Sequence, residues 1–166
     1  MNTREAPARL CYDDLHVGMV LEAGPITVSA DDIKRFAAQY DPQPFHLDEK
    51  TAAATFFGGL AGSGWHISAL TMRLVVDALP IEGGVIGGGV DELRWPNPMR
   101  PGDTLRLRSE VIEMRLLKSR PNMGLVRFRV TTLNQKDQVL QEMIPNLFAP
   151  TRAAVEARKS KEKLGS

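Results

Sequence analysis

Between Ser63 and Pro80 the chain places Trp65, Ile67, Ala69, Leu70, Met72, Leu74, Val75, Val76 and Leu79 around nearly the whole circumference of one predicted helix. A helix of that kind must be covered on most sides, so the rest of the fold has to wrap around it. Downstream the apolar period changes from 3.6 to 2. Leu105, Leu107 and Val111, then Met114 and Leu116, alternate with polar residues, and the phase slip at Val111-Ile112 predicts a bulge. Val126, Phe128 and Val130 alternate with Arg127, Arg129 and Thr131. Asn134 to Asp137 reads as a hairpin loop before a last strand from Val139 to Phe148, and Pro101-Gly102-Asp103 as a tight turn. Adding Pro25 to Val28 and Val85 to Trp95 gives five strands. One buried helix followed by hairpin-connected strands predicts an α+β domain, an antiparallel sheet wrapped around a central helix.

The chain has 166 residues, 43% of them hydrophobic, enough for one domain with a real core. The domain is expected to span residues 12–150, with an N-terminal tail over 1–11 and a polar C-terminal tail over 151–166. In that last segment only Val155 and Leu164 are large and apolar, which predicts a frayed or weakly helical end. A net charge of +1 argues against nucleic acid or an anionic membrane as partner. The lone Cys11 can form no internal disulfide or CxxC pair, which suits a reducing cytoplasm. Met1 to Glu5 do not open a secretory signal, and the Trp65 to Leu79 stretch is too short and too interrupted for a membrane span.

Upstream of the core helix, Ser29 and Asp32 form a capping-box pattern ahead of Ile33, Phe36, Ala37 and Tyr40, predicting a helix over 30–40. Pro42 and Pro44 must end it near Asp41. Asp48 is expected to cap a second short helix that ends at Gly58-Gly59. Asp41 and His46 flank the rigid Pro-x-Pro turn, and a carboxylate with an imidazole can hold one water and move its protons at neutral pH. The bland reading is a turn cap beside a structural histidine. Next, Phe57-Gly58-Gly59-Leu60-Ala61-Gly62-Ser63-Gly64-Trp65 feeds a glycine-rich turn into the start of the buried helix. The first N–H groups there lack intrahelical partners and could stabilise an oxyanion, although a plain Ser-Gly cap has the same sequence.

The D-P-Q-P-F-H run of 41–46, the helix-opening Gly64, Asp13 to Met19, Asp91 to Trp95 and Arg100 to Leu105 together resemble the MaoC-like, or (R)-specific enoyl-CoA hydratase, family over roughly 12–148. The resemblance implies a hot dog fold and a homodimer or higher homo-oligomer whose sheets join across the interface. It also implies hydration of a trans-2-enoyl thioester to the (R)-3-hydroxyacyl product, and the reverse dehydration. Asp41 and His46 would activate water, the Gly64 N–H would be the oxyanion donor, and no cofactor is implied, coenzyme A being part of the substrate. The partner would be an acyl-CoA or acyl carrier thioester. This chain departs from the family pattern at Gln43, where the signature has asparagine, and at Gly62-Ser63-Gly64-Trp65, where Ala-His-Gly-Met is more usual. Gln43, Phe45, Ser63 and Trp65 are therefore candidates for substrate contact.

Arg94, Arg100, Lys118 and Arg120 could meet the phosphates of coenzyme A, Arg94 and Arg120 being the leading candidates. A solvated sheet face is the plain alternative. His66 has no partner at metal-ligand spacing, so no metal site is expected. Gly87-Gly88-Gly89 lacks a phosphate-loop spacing and reads as a strand region that admits close backbone approach. Met72, Met99, Met114, Met123 and Met143 read as core filling. Two other functions are open: a hot dog thioesterase, and a noncatalytic acyl-CoA-binding module.

Overall fold

In the computed structural model, which describes residues 9–164, five strands form one antiparallel sheet. They are β1 (Val20–Thr27), β2 (Ile86–Arg94), β3 (Thr104–Leu116), β4 (Met123–Leu133) and β5 (Val139–Pro150), in the order β1-β3-β4-β5-β2. Five helices accompany them: α1 (Ala30–Tyr40), α2 (Pro44–Leu47), α3 (Glu49–Ala53), α4 (Gly64–Ala78) and α5 (Arg152–Leu164). Ile67, Leu74 and Val75 of α4 share one buried cluster with Leu105, Leu107, Val111, Val126, Phe128, Val130, Leu140 and Leu147 of the sheet. The α+β architecture with α4 at its centre is the one the apolar periodicities imply.

Local chemistry explains most element ends. The Ser29 hydroxyl accepts from the Asp32 N–H at 3.1 Å while the Asp32 carboxylate takes the Ser29 N–H at 3.0 Å, so the capping box starts α1 as expected. The register of β3 against β4 slips between Val111 and Glu113, which places the bulge at the phase slip of the sequence. Gly102, at φ +84, makes the tight turn into β3. Of the three β2 glycines only Gly88 admits a close approach: a Cβ there would lie 2.6 Å from the Phe148 ring.

Other expectations need correction. The helix capped by Asp48 stops at Ala53, well before Gly58-Gly59, because the carbonyls of Phe57, Gly59 and Leu60 turn instead toward the Arg100 guanidinium. The Pro-x-Pro turn contains a helical turn of its own, α2, started by Pro44 at a position where a missing N–H costs nothing. Strand β1 begins at Val20 rather than Pro25, its alternation masked by an irregularity between Ala23 and Ile26. Helix α4 is covered on one side rather than on most: Trp65, Met72 and Val76 are exposed, since the sheet of one chain reaches only one side of it. Of the two expectations for the C-terminal segment, frayed or weakly helical, the helical one holds, over Arg152–Leu164, and the helix packs on the body. Val155 is buried, and Asp13 accepts from the Arg152 N–H at 2.7 Å. At the other end Leu10 bridges to Ile81 and Cys11 is buried, so part of the expected tail belongs to the body. Residues 1–8 of that tail lie outside the described residues.

Candidate active site

Asp41 and His46 meet because two proline-directed breaks fold the chain back within a few residues. Asp41 caps the C-terminus of α1, its N–H donating to the Ala37 carbonyl, and α2 then carries His46 inward until it is 5% exposed. The His46 Nδ1 lies 2.6 Å from the Ala61 carbonyl oxygen. A carbonyl can only accept, so Nδ1 bears a proton and Nε2 is the ring nitrogen left to exchange one. That Nε2 is 3.5 Å from Asp41 Oδ2. The separation is too long for a strong direct hydrogen bond, so both groups keep capacity for a third partner.

Ser63 joins this pair to the start of the central helix. Its hydroxyl, 1% exposed, donates to Asp41 Oδ2 at 2.6 Å and accepts from the Trp65 N–H at 3.2 Å. The hydroxyl is thus a helix cap and a holder of the carboxylate. The next amide, Gly64 N–H, has no acceptor among the described residues. The turn that delivers it is anchored by Gly62 N–H to the Met99 carbonyl at 2.8 Å and by Arg100, whose Nη1 donates to the Gly59 and Leu60 carbonyls at 2.8 and 3.1 Å. His46, Gly64, Phe57, Ile67, Trp95 and Asn97 line a cavity of ≈ 330 Å³. The imidazole of His46, an unpaired helix N-terminal amide and mostly apolar walls therefore face one space, with Asp41 behind the imidazole, which suits a small apolar group carrying one carbonyl.

The remaining candidates distribute unevenly. Phe45 packs edge-on to His46 at 4.6 Å and holds the ring. The Gln43 side chain is exposed and makes no hydrogen bond among the described residues; only its backbone serves the turn, donating to the Asp41 carbonyl at 2.7 Å. Trp65 points outward, 60% exposed, and touches the cavity only through Trp95, at 5.3 Å between ring centroids. Arg94 pairs with Glu92 at 3.4 Å and adjoins Trp95, whereas Arg120 sits in the β3–β4 turn beyond Met123, at the other end of the sheet. The two arginines do not converge on one site within a chain. Arg100, holding loop carbonyls, is unsuited to phosphate contact.

His66 faces the opposite way. It stacks on Phe36 at 4.5 Å and borders a separate cavity of ≈ 460 Å³ that contains neither Asp41 nor His46. Burial holds its pKa below the usual histidine value of 6.5. Among the described residues no group of three His, Cys, Asp or Glu side chains could hold a metal ion. No described helix is long and apolar enough to cross a membrane. Trp95 is the site residue that sequence reasoning missed. It follows the last residue of β2 and precedes Pro96, and nothing in its spacing announces that the chain will fold it over Gly64.

A five-stranded antiparallel sheet around one helix, with this pair at the helix mouth, is the arrangement of the hot dog fold. Residues 15–133 match the MaoC like domain, and the chain belongs to that family. It is 46% identical to a MaoC-like dehydratase from Rhodospirillum rubrum, with a TM-score of 0.83 over 86% of this chain and 98% of that one. It is 30% identical to the (R)-hydratase PhaJ1 of Pseudomonas aeruginosa, with a TM-score of 0.71 over 87% of this chain and 88% of that one. A curated relative, the 3-hydroxybutyryl-CoA dehydratase of Methylorubrum extorquens, is 32% identical over 63% of this chain and 66% of its own length.

Proposed function

We propose that the protein hydrates a trans-2-enoyl thioester, a CoA ester in the first instance, to the (R)-3-hydroxyacyl thioester, and catalyses the reverse dehydration. The observation that carries this reading is that His46 and Gly64 line one cavity, with Asp41 3.5 Å from His46 Nε2. A water held between Asp41 and His46 Nε2 gives a proton to the pair as its oxygen bonds to Cβ. The π electrons move toward Cα and the thioester oxygen, where Gly64 N–H stabilises the developing charge. A proton from the same pair then reaches Cα, so one water is added across the double bond. The family match and the two thioester-active or hydratase relatives support the reaction class.

The active form in this reading is a homodimer. Strand β2 is an uncovered sheet edge with Ile86 and Val90 about half exposed, and the bare side of α4 carries Trp65, Met72 and Val76. A second copy would extend the sheet and cover both.

The test is absorbance-monitored hydration of trans-2-butenoyl-CoA and longer enoyl-CoA esters. Asp41→Asn and His46→Ala are expected to lower kcat by roughly 10²–10⁴-fold with the fold retained. Activity surviving both substitutions would refute the assignment. Loss of the enoyl thioester absorbance matched by release of free thiol would point to thioester hydrolysis, and tight binding without turnover to a noncatalytic module.

A further inference from the structure

Beneath the cavity lies a buried polar group that the acid/base chemistry does not use. Gln141, near the start of β5, is 0% exposed. Its Oε1 accepts from the Trp95 indole N–H at 2.9 Å and from the Ser68 hydroxyl at 2.6 Å. The indole nitrogen can only donate, so the amide is held with its oxygen toward Trp95. Its Nε2 is then buried with no partner among the described residues. An orphaned amide in a sheet core is unfavourable, and a leucine of similar volume would avoid the cost. Departures of this sort from packing rules concentrate at functional sites.

The two donors lead to the same place. The Trp95 ring lies directly against Gly64: a Cβ added there would stand 2.6, 2.7 and 2.8 Å from three indole carbons. Ser68, one turn into α4, has its hydroxyl 3.1 Å from the Gly64 carbonyl oxygen as well. The side chains anchored on Gln141 therefore flank the residue whose N–H opens on the cavity, one at its Cα and one at its carbonyl. Trp95 is itself 38% exposed at the cavity wall, so packing alone does not hold it.

We propose that Gln141 is a positioning residue that acts through Trp95, pinning the indole on Gly64 so that the helix N-terminal amide stays aimed at the thioester oxygen. The inference rests on the hydratase reading. It distinguishes a group that fixes the oxyanion donor from one that only fills the core. A misaligned donor costs transition-state stabilisation more than substrate binding, so the effect belongs in kcat.

The experiment compares wild type, Gln141→Leu, Trp95→Phe and the double variant in hydration of trans-2-butenoyl-CoA. Each single change removes the same N–H···O bond, so each is expected to lower kcat about tenfold with KM within about twofold, and the double variant to lose no more than either. The indole N–H resonance that is absent in Trp95→Phe is expected to shift in Gln141→Leu. Independent losses that multiply to about a hundredfold in the double variant would overturn the proposal, as would an unmoved indole resonance or wild-type kcat in Gln141→Leu. Should Gln141→Leu fail to fold, Trp95→Phe decides alone: an unchanged kcat refutes the role, a tenfold loss with unchanged KM supports it. Absence of hydration by the wild-type protein overturns the hydratase reading itself, and this inference with it.

Discussion

At the residue scale, Ser63 is the side chain whose role changes most between sequence and structure. It stands at the position after Gly62 where a histidine is more usual in the family pattern, and its hydroxyl serves two partners at once, Asp41 and the Trp65 N–H. Ser63→Ala is expected to lower stability by about 1 kcal/mol through the lost cap. It should also lower kcat about tenfold by releasing Asp41, the loss of one hydrogen bond to the charged group. Urea unfolding and hydration kinetics check the two effects separately. His66 makes a second residue-scale case. Its folded pKa lies below its ordinary value of 6.5 because burial disfavours the imidazolium, so the unfolded chain takes up the proton more readily. The stability its neutral form contributes is therefore present above pH 6.5 and is lost as pH falls through that value toward the lower folded pKa. Thermal unfolding between pH 5 and pH 8 is expected to show this slope in wild type and a shallower one in His66→Phe. An identical slope in both would exclude His66 as its source.

At the element scale, the glycine-rich turn before α4 is held from outside itself. Arg100, at the start of the turn into β3, gathers carbonyls of Phe57, Gly59 and Leu60 about forty residues earlier. A guanidinium with several donors in one plane suits that task, and a lysine would not reproduce it. Arg100→Ala is expected to destabilise the protein by about 2–3 kcal/mol, since hydrogen bonds to a charged donor are lost and carbonyls are left unpaired. Denaturant unfolding measures it, and a change below about 0.5 kcal/mol would mean that the turn holds itself. The same bonds explain why the helix after Asp48 ends early. Elements whose ends depend on adjacent side chains, such as the start of α1 and the stop at Asp41, were legible in the sequence. Those whose ends depend on Arg100 were not.

At the scale of the whole molecule, the exposed apolar groups of α4 and β2 lie on surfaces that a single chain leaves open. Light scattering is expected to give twice the chain mass. Val90→Lys, which puts a charge on the β2 edge, is expected to shift the protein toward single chains and to reduce hydration in parallel. A monomeric wild type with full activity would contradict the dimer reading.

The amino-acid sequence alone determined the class of fold, because a helix apolar on most faces followed by period-two strands admits few ways of burying both. It also placed Asp41 and His46 on either side of one turn and the amide of Gly64 at a helix start, because prolines and a helix start act over a few residues. Tertiary structure decided what surrounds them: Ser63 on Asp41, Trp95 on Gly64, Gln141 beneath Trp95, and Arg100 on the loop. These contacts join residues 22 to 46 positions apart along the chain. Local propensity carries no information about such pairs. Only the register of β5 against its neighbours and the closing of the sheet over α4 bring them together.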